Sequence, residues 1–378
     1  MDIYKELLSA LETEEHVMLA TVISTSGSTP SSALSKMLVK QGGSVSVGTV
    51  GGGCMEGDVV LHANRLYSTG KAELCSFELN EEDMEGGLIC GGKLDILIEP
   101  VTRKQIPLIQ KLQAMREIGE DSLLLTHLLP DGEVTTKDLI PVLPQETSEW
   151  SSGVVKKMEK IVLASSDAQT NMSLAEIVRR TFHNNSSHRI PTEQGEIILE
   201  PVRGTPSLLI FGGGHVSKFV SQAASLAGFR VTIIDDREKF ANAGRFPEAV
   251  QTFAMDFGEA LERIPIKEST YVVIITRGHQ YDEEILKRVI KTPARYIGMI
   301  GSKRKVLTTY EHLAQRGISV ETMRRVHAPI GIEIGAVTAE EIAISVVAEI
   351  INTRRGNHQP ISKSEELKKH LHVFEKKK

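Results

Sequence analysis

Two sets of residues have types and spacings that suit chemistry. The first is Gly51-Gly52-Gly53-Cys54-Met55-Glu56 together with Cys90-Gly91-Gly92. A thiol flanked by glycines has little side-chain cover and can approach a ligand closely. Thiolates are soft donors that suit soft or sulfur-bearing metal centres, and runs of glycine amides can form a nest for phosphate. Cys54 and Cys90 are therefore candidate thiolate contacts, with Gly51, Gly52, Gly53, Gly91 and Gly92 as candidate amide donors. Glu56 is placed to orient a ligand or act as an acid/base group; an exposed surface charge is its ordinary alternative. The 36-residue separation of the two cysteines is no zinc signature. Cys75, in a strand-like stretch, reads as a small buried hydrophobe.

The second set begins at Gly212-Gly213-Gly214-His215, directly after an apolar strand-like run and directly before a helical one. Gly212 and Gly214 fit a dinucleotide-binding turn, in which bare amides and a helix N-terminus face a diphosphate and a side chain would obstruct the approach. Asp235 and Asp236 lie 23 and 24 residues beyond Gly212, where a carboxylate commonly binds ribose hydroxyls. Ser217 replaces the third glycine of the fingerprint, so the diphosphate fit is expected to be looser, and Arg237 blurs the choice between NAD and NADP. His215 suits either a ligand phosphate or a backbone hydrogen bond. Thr276-Arg277-Gly278-His279 with Asp282, and Gly301-Ser302-Lys303-Arg304, each follow a strand-like run. Arg277, His279, Asp282, Ser302, Lys303 and Arg304 are expected to converge on one anionic-ligand pocket at the rim of a parallel sheet.

These residues need a scaffold with two characters. Between Gly27 and Gly92 there are 13 glycines in 66 residues, far above the usual share of about 7%. Short alternating runs lie between them, at 17–23, 36–40, 71–79 and 94–98, after an opening helix over 3–14. The middle offers strands over 122–129 and 196–202 around a polar stretch at 182–188. Glu99-Pro100-Val101 recurs as Glu200-Pro201-Val202, which alone is too short to establish a repeat. After Gly204-Thr205-Pro206 strands and helices alternate regularly, and Thr338 with Glu341 is a capping box opening the last helix. The expected fold class is α/β: a C-terminal Rossmann-like parallel-sheet domain over 206–355 and an N-terminal Gly-rich mixed α+β domain over 1–203. The N-terminal domain has its core at 1–102 and a middle segment at 103–203, and a charged tail over 356–378 closes the chain.

The 378 residues carry 44 Lys+Arg against 49 Asp+Glu, a net charge of −5, which argues against a nucleic-acid footprint. No apolar run approaches the ~20 residues of a membrane helix, and the N-terminus lacks the basic start and apolar middle of a secretory signal. Three cysteines cannot form a disulfide framework. A cytoplasmic protein, with neither nucleic acid nor membrane as partner, is expected.

Taken together, Gly27-Ser28-Thr29-Pro30, Gly51 to Glu56 and Cys90-Gly91-Gly92, followed by the dinucleotide-type domain, resemble the xanthine dehydrogenase accessory protein family, XdhC/CoxI. Gly298-Met299-Ile300-Gly301-Ser302-Lys303-Arg304, and His327-Ala328-Pro329-Ile330-Gly331 through Ile334-Gly335-Ala336, look like that family's most specific signatures. The chain departs from the family at Ser31, where an arginine is frequent, and at Leu34, where a glycine is frequent. The resemblance implies a maturation factor of purine catabolism. Such a factor binds molybdenum cofactor and assists its sulfuration and insertion into an apo xanthine dehydrogenase-type molybdenum hydroxylase. It implies Cys90 as the contact to molybdenum, with Cys54 next, a cysteine desulfurase as candidate sulfur donor, a homo-oligomer, and no catalytic residue of its own. Two other classes stay open on the residues alone: an oxidoreductase using NAD(P) or flavin, and a nucleotide-sensing interaction module.

Overall fold

The structure, a computed structural model, describes residues 2–43, 45–78, 92–142 and 174–356. The side chains of residues 45, 46, 54, 174, 175 and 279 lie outside that description, as does the tail beyond 356. The chain divides into two compact units, Met1–Gly204 and Thr205–Lys378. The fold class read from the sequence is the one observed, antiparallel sheets in the first unit and a parallel sheet in the second.

The first unit runs α1 (Ile3–Thr13), β1 (His16–Ser26), β2 (Lys36–Val39), β3 (Val45–Gly48), α2 (Gly53–Tyr67), β4 (Glu73–Glu78) and β5 (Lys93–Thr102). It continues through α3 (Ile106–Glu117), β6 (Asp121–Leu128), β7 (Val134–Val142), α4 (Leu174–Asn184), β8 (His188–Thr192) and β9 (Gly195–Val202). Two antiparallel sheets form, ordered β3-β2-β1-β5-β4 and β7-β6-β9-β8. Side chains alternate faces along a strand, so Met18, Ala20 and Val22 of β1 pack with Val59 and Ala63 of α2. Val17 and Leu19 meet Leu124, Leu139 and Val202 of the second sheet. Leu123 and Leu125 turn outward to Ile177 and Val178 of α4. The result is α2, sheet, sheet, α4, with α1 and α3 contributing Leu7, Leu11, Ile109 and Leu112 to the middle cluster.

This unit is a duplication. Among the described residues α1, β1, β2, α2, β4 and β5 of the first half correspond to α3, β6, β7, α4, β8 and β9 of the second, with β3 the additional strand of the first, and the registers correspond. Thr21 pairs Lys36 and Leu19 pairs Glu99 in the first half; Thr126 pairs Lys137 and Leu124 pairs Glu200 in the second. The two halves exchange ion pairs. Lys36 Nζ lies 2.5 Å from Glu200 Oε2, and Lys137 Nζ contacts Glu99, both carboxylates being buried between the sheets. The Glu-Pro-Val recurrence thus marks equivalent strands, β5 and β9.

The second unit runs β10 (Ser207–Phe211), α5 (His215–Leu226), β11 (Arg230–Asp235), β12 (Gln251–Ala254), α6 (Phe257–Arg263) and β13 (Thr270–Ile274). Then follow α7 (His279–Val289), β14 (Tyr296–Met299), α8 (Lys303–Gln315), α9 (Val320–Met323), β15 (Val326–His327) and α10 (Ala339–Arg354). All six strands are parallel, in the order β12-β11-β10-β13-β14-β15. That is the strand order of a Rossmann sheet, and its switch point lies between β10 and β13. One face is covered by Phe257, Ile285, Leu286 and Val306 from α6, α7 and α8, the other by Val220, Ala224, Val346 and Ile350 from α5 and α10. Burial on both faces explains the unbroken apolar runs such as Leu208–Phe211 and Tyr271–Ile274. Among the described residues no helix is long and apolar enough to cross a membrane.

Candidate functional site

At the switch point the turn after β10 is held from three directions. Gly212 has φ 105° and donates its N–H to Ile234 O at 2.7 Å; a Cβ there would lie 2.1 Å from Ile275 O. A Cβ at Gly213 would lie 2.0 Å from Phe240 O, whereas one at Gly214 would meet nothing within 4 Å. The close approach expected at Gly212 and Gly214 therefore belongs to Gly212 and Gly213, because the backbones of β13 and of residue 240 lie against them. Gly214 instead opens α5 as an N-cap without a side-chain hydrogen bond, which leaves the helix N-terminus to an incoming anion. Ser217 is fully buried in the third fingerprint position, and its hydroxyl has no partner. His215 is exposed, edge-on to Phe219 at 5.2 Å.

The two aspartates divide their work. Asp235 Oδ2 accepts from Gly213 N at 2.8 Å, and Oδ1 accepts from Arg237 N at 3.1 Å and Nε at 2.8 Å. Burial would raise the Asp235 carboxyl, but the Arg237 and Gly213 donors outweigh it and hold it below the usual range. With both oxygens occupied inside the fold, Asp235 fixes the glycine turn and does not face a ribose, contrary to the sequence expectation. Asp236 is the outward carboxylate, 2.7 Å from the Arg277 guanidinium and 3.6 Å from that of Arg237. Sequence reasoning missed Arg245, whose Nε donates to Gly213 O at 3.0 Å and whose NH2 donates to Gly214 O at 3.3 Å. No local signal marks it, since it arrives from a segment more than 30 residues downstream.

The two rim segments do meet, through the expected Asp282 and an unexpected partner, Lys305. Asp282 is wholly buried and accepts from Thr276 N at 3.2 Å, Thr276 Oγ1 at 2.6 Å and Lys305 Nζ. It anchors the 276–278 turn to α8 and cannot line an anion pocket, which corrects its expected role. Lys305 supplies that link, while Ser302, Lys303 and Arg304 are exposed and Ser302 caps α8 by accepting from Lys305 N at 3.3 Å. Arg277 is exposed beside Tyr281 OH at 3.3 Å.

In the first unit the glycine-rich motifs meet at one turn. A Cβ on Gly92 would lie 2.3 Å from Ser28 O, and one on Gly51 would lie 3.0 Å from Pro30 Cγ. The 26–31 turn thus touches both cysteine-bearing motifs. Gly51 and Gly52 have φ 145° and 114°, and Gly52 opens α2 without a side-chain cap. Gly52 and Gly53 have open space where a Cβ would be. Glu56 accepts from the Thr49 hydroxyl, which in turn accepts from Gly51 N at 3.2 Å, so this carboxylate braces the loop. Cys90 and Gly91 lie outside the described residues, as do the side chains of Cys54 and His279.

Residues 10–78 match the family model described as XdhC and CoxI family, and residues 208–350 match that of the XdhC Rossmann domain, together more than half of the chain. The chain belongs to the XdhC and CoxI family. It is 25% identical over 354 residues to a probable xanthine dehydrogenase subunit from Bacillus subtilis (strain 168), covering 91% of this chain and 95% of that protein. Over 150 residues, 39% of this chain, it is 37% identical to the uncharacterized protein YqeB of Escherichia coli (strain K12), of which the match spans 27%. It shares its fold with a crystal structure described as a xanthine dehydrogenase from Bacillus halodurans, with TM-score 0.73 and 24% identity, covering 97% of this chain and all of that one.

The XdhC signature segments of the second unit gather around one buried carboxylate. Glu349 Oε2 accepts from Tyr296 OH at 2.6 Å and from Gly331 N at 2.9 Å, and Oε1 lies 3.4 Å from His327 Nδ1. Burial would raise the Glu349 carboxyl; the His327, Tyr296 and Gly331 contacts hold it below its ordinary value. Gly298 is required there, since a Cβ would lie 2.4 Å from Ile330 Cδ1 and 2.7 Å from Tyr296 OH. These XdhC residues position the 328–336 loop beside β14.

Proposed function

We propose that this XdhC protein is an accessory factor that binds molybdenum cofactor and assists its sulfuration and insertion into a xanthine dehydrogenase-type molybdenum hydroxylase. A dinucleotide such as NAD(P) is held by its Rossmann unit. The observation that supports the reading most is the meeting of the Gly27–Pro30, Gly51–Glu56 and Gly92 motifs at one turn. The uncapped start of α2, with open space over Gly52 and Gly53, fits a phosphate on the cofactor. Bound there, the cofactor supplies a sulfur-rich molybdenum centre, and the chain supplies soft thiolates to it through Cys90 and Cys54. In the Rossmann unit the amides from Gly214 onward serve a diphosphate and Asp236 serves a ribose. The client hydroxylase and the sulfur-donating desulfurase belong to the same proposal.

The test is the molybdenum and pterin content of wild type, Cys54→Ser, Cys90→Ser and Cys75→Ser purified from cofactor-producing cells, with activation of an apo-hydroxylase as second readout. Loss of loading in Cys90→Ser with normal folding is expected. Equal loading and activation by all four proteins would overturn the thiolate assignment. Calorimetry with NAD, NADP, FAD and ATP tests the second unit, and absence of binding by all four would remove the dinucleotide.

A further inference from the structure

Cys75 is not simply filling the core. His62, on the face of α2 turned to the sheet, meets Glu73 and Cys75 of β4, two residues apart and therefore on one face of the strand. His62 Nδ1 is 3.4 Å from Cys75 Sγ and 3.6 Å from Glu73 Oε2, and all three ligand atoms lie within 4.8 Å of one another. We propose that His62, Glu73 and Cys75 form a zinc site with its fourth position open to water, separate from the glycine-rich motifs and independent of the function proposed above. A tetrahedral zinc with ordinary bond lengths separates sulfur from nitrogen by about 3.6 Å and nitrogen from oxygen by about 3.4 Å, so the imidazole nitrogen already stands near its final spacing from both other ligand atoms.

The hydrogen-bonding state also suits the ion. Arg65 NH2 donates to His62 Nδ1 at 3.1 Å, and because a guanidinium only donates, Nδ1 carries the lone pair. The Cys75 thiol and the guanidinium share that single lone pair, and a zinc ion takes it in place of both, displacing the thiol proton. Arg65, which also pairs with Glu73, is 60% exposed and free to swing into water. Burial, then the Glu73 charge, pushes the Cys75 thiol up to about 11, so without a cation it is a poor nucleophile, which removes a reactive-cysteine role at neutral pH. The duplication supplies an internal comparison: by register against β9, Ile190 and His188 occupy the places of Cys75 and Glu73. The fold fills the place of Cys75 with an ordinary aliphatic residue when no ligand is needed.

The experiment titrates Zn2+ and Co2+ into the full chain carrying Cys54→Ser and Cys90→Ser, which separates this site from the proposed cofactor thiolates. One ion per chain, a cobalt–thiolate charge-transfer band and release of one proton from Cys75 per zinc near neutral pH are expected. Cys75→Ser removes the band, and His62→Ala and Glu73→Gln each weaken zinc binding by about 10-fold or more. Arg65→Ala tightens binding several-fold by removing the competing cation. Should Cys75→Ser fail to fold, as judged by circular dichroism, the partly exposed His62 variant carries the test. A band missing from the Cys54→Ser/Cys90→Ser chain, a band surviving Cys75→Ser, or affinity indifferent to His62→Ala would overturn the site.

Discussion

Replacing Lys36 by methionine keeps the length of the side chain and removes the charge. Glu200, 2% exposed, then keeps a buried carboxylate whose Oε2 has lost its partner at 2.5 Å and whose Oε1 has no hydrogen bond to fall back on. Breaking a buried pair from one side costs about 3–5 kcal/mol, whereas replacing both partners by apolar groups is close to neutral. Lys36→Met should therefore destabilise the first unit by about 4 kcal/mol, and Lys36→Met/Glu200→Leu should recover most of it. Lys137→Met, which orphans Glu99, should cost about 1 kcal/mol less, because Lys36 also donates to Thr21 Oγ1 at 2.9 Å while the equivalent Thr126 hydroxyl has no partner. Burial alone would lower the Lys36 amine, but Glu200, with Tyr4 and Glu99, reverses this and raises it. Its contribution is thus complete at neutral pH and below, and is lost as pH climbs through the folded-state value in the strongly alkaline range. The assay is urea unfolding followed by far-ultraviolet circular dichroism, with the transition of the first unit read separately from that of the second. A cost for Lys36→Met under about 1 kcal/mol, or a double variant no better than the single one, would refute the reasoning.

Gly213→Ala should destabilise the second unit by about 3 kcal/mol through collision with the Phe240 carbonyl, and Gly214→Ala by less than about 1 kcal/mol, as read by thermal unfolding. Lys305→Met should cost about 3–5 kcal/mol by orphaning the buried Asp282, and Asp282→Asn in the same chain should return part of that, measured by the same denaturation. Leu34 sits at φ 69°, so Leu34→Gly should raise stability by about 0.5 kcal/mol, since relief of roughly 1–2 kcal/mol of left-handed strain exceeds the entropic cost of glycine; a lower melting temperature would contradict this.

What can be read in the sequence depends on how local the cause is. The strands of the second unit announce themselves, because burial on both faces demands unbroken apolar runs, and Thr338 with Glu341 caps α10 within one turn of chain. Leu34 stands out as a departure from a frequent glycine, and its positive φ supplies the reason. The glycine turn is legible as a turn, but which glycine is sterically required depends on Phe240 and Ile275, from other segments. Asp235 misleads in part for the same reason: its contact with Gly213 spans 22 residues, although the Arg237 contacts that also turn it inward are local. Lys305 is overshadowed by the adjacent pair Lys303-Arg304, although it lies within one helical turn of the Ser302 cap. Neither α3 nor the duplication is among the expectations from sequence. The signal of the duplication is longer than the tripeptide, for Asp95-Ile96-Leu97-Ile98-Glu99-Pro100-Val101 parallels Glu196-Ile197-Ile198-Leu199-Glu200-Pro201-Val202 residue by residue.

The exchanged ion pairs also set the order in which the chain can mature. Lys36 waits for a partner 164 residues downstream, and at roughly 5–20 residues per second a ribosome takes about 8–33 s to deliver it. Throughout that interval the nascent first half holds an unpaired Lys36 and, once Glu99 has emerged, an unpaired carboxylate, both on the face that later closes against the second sheet. Every glycine-rich motif of the first unit lies in this early half, so these loops are synthesised before the sheet that closes over the Lys36 side of their scaffold. The unit behaves as a dimer tied into one polypeptide: neither half is electrically complete until the other arrives.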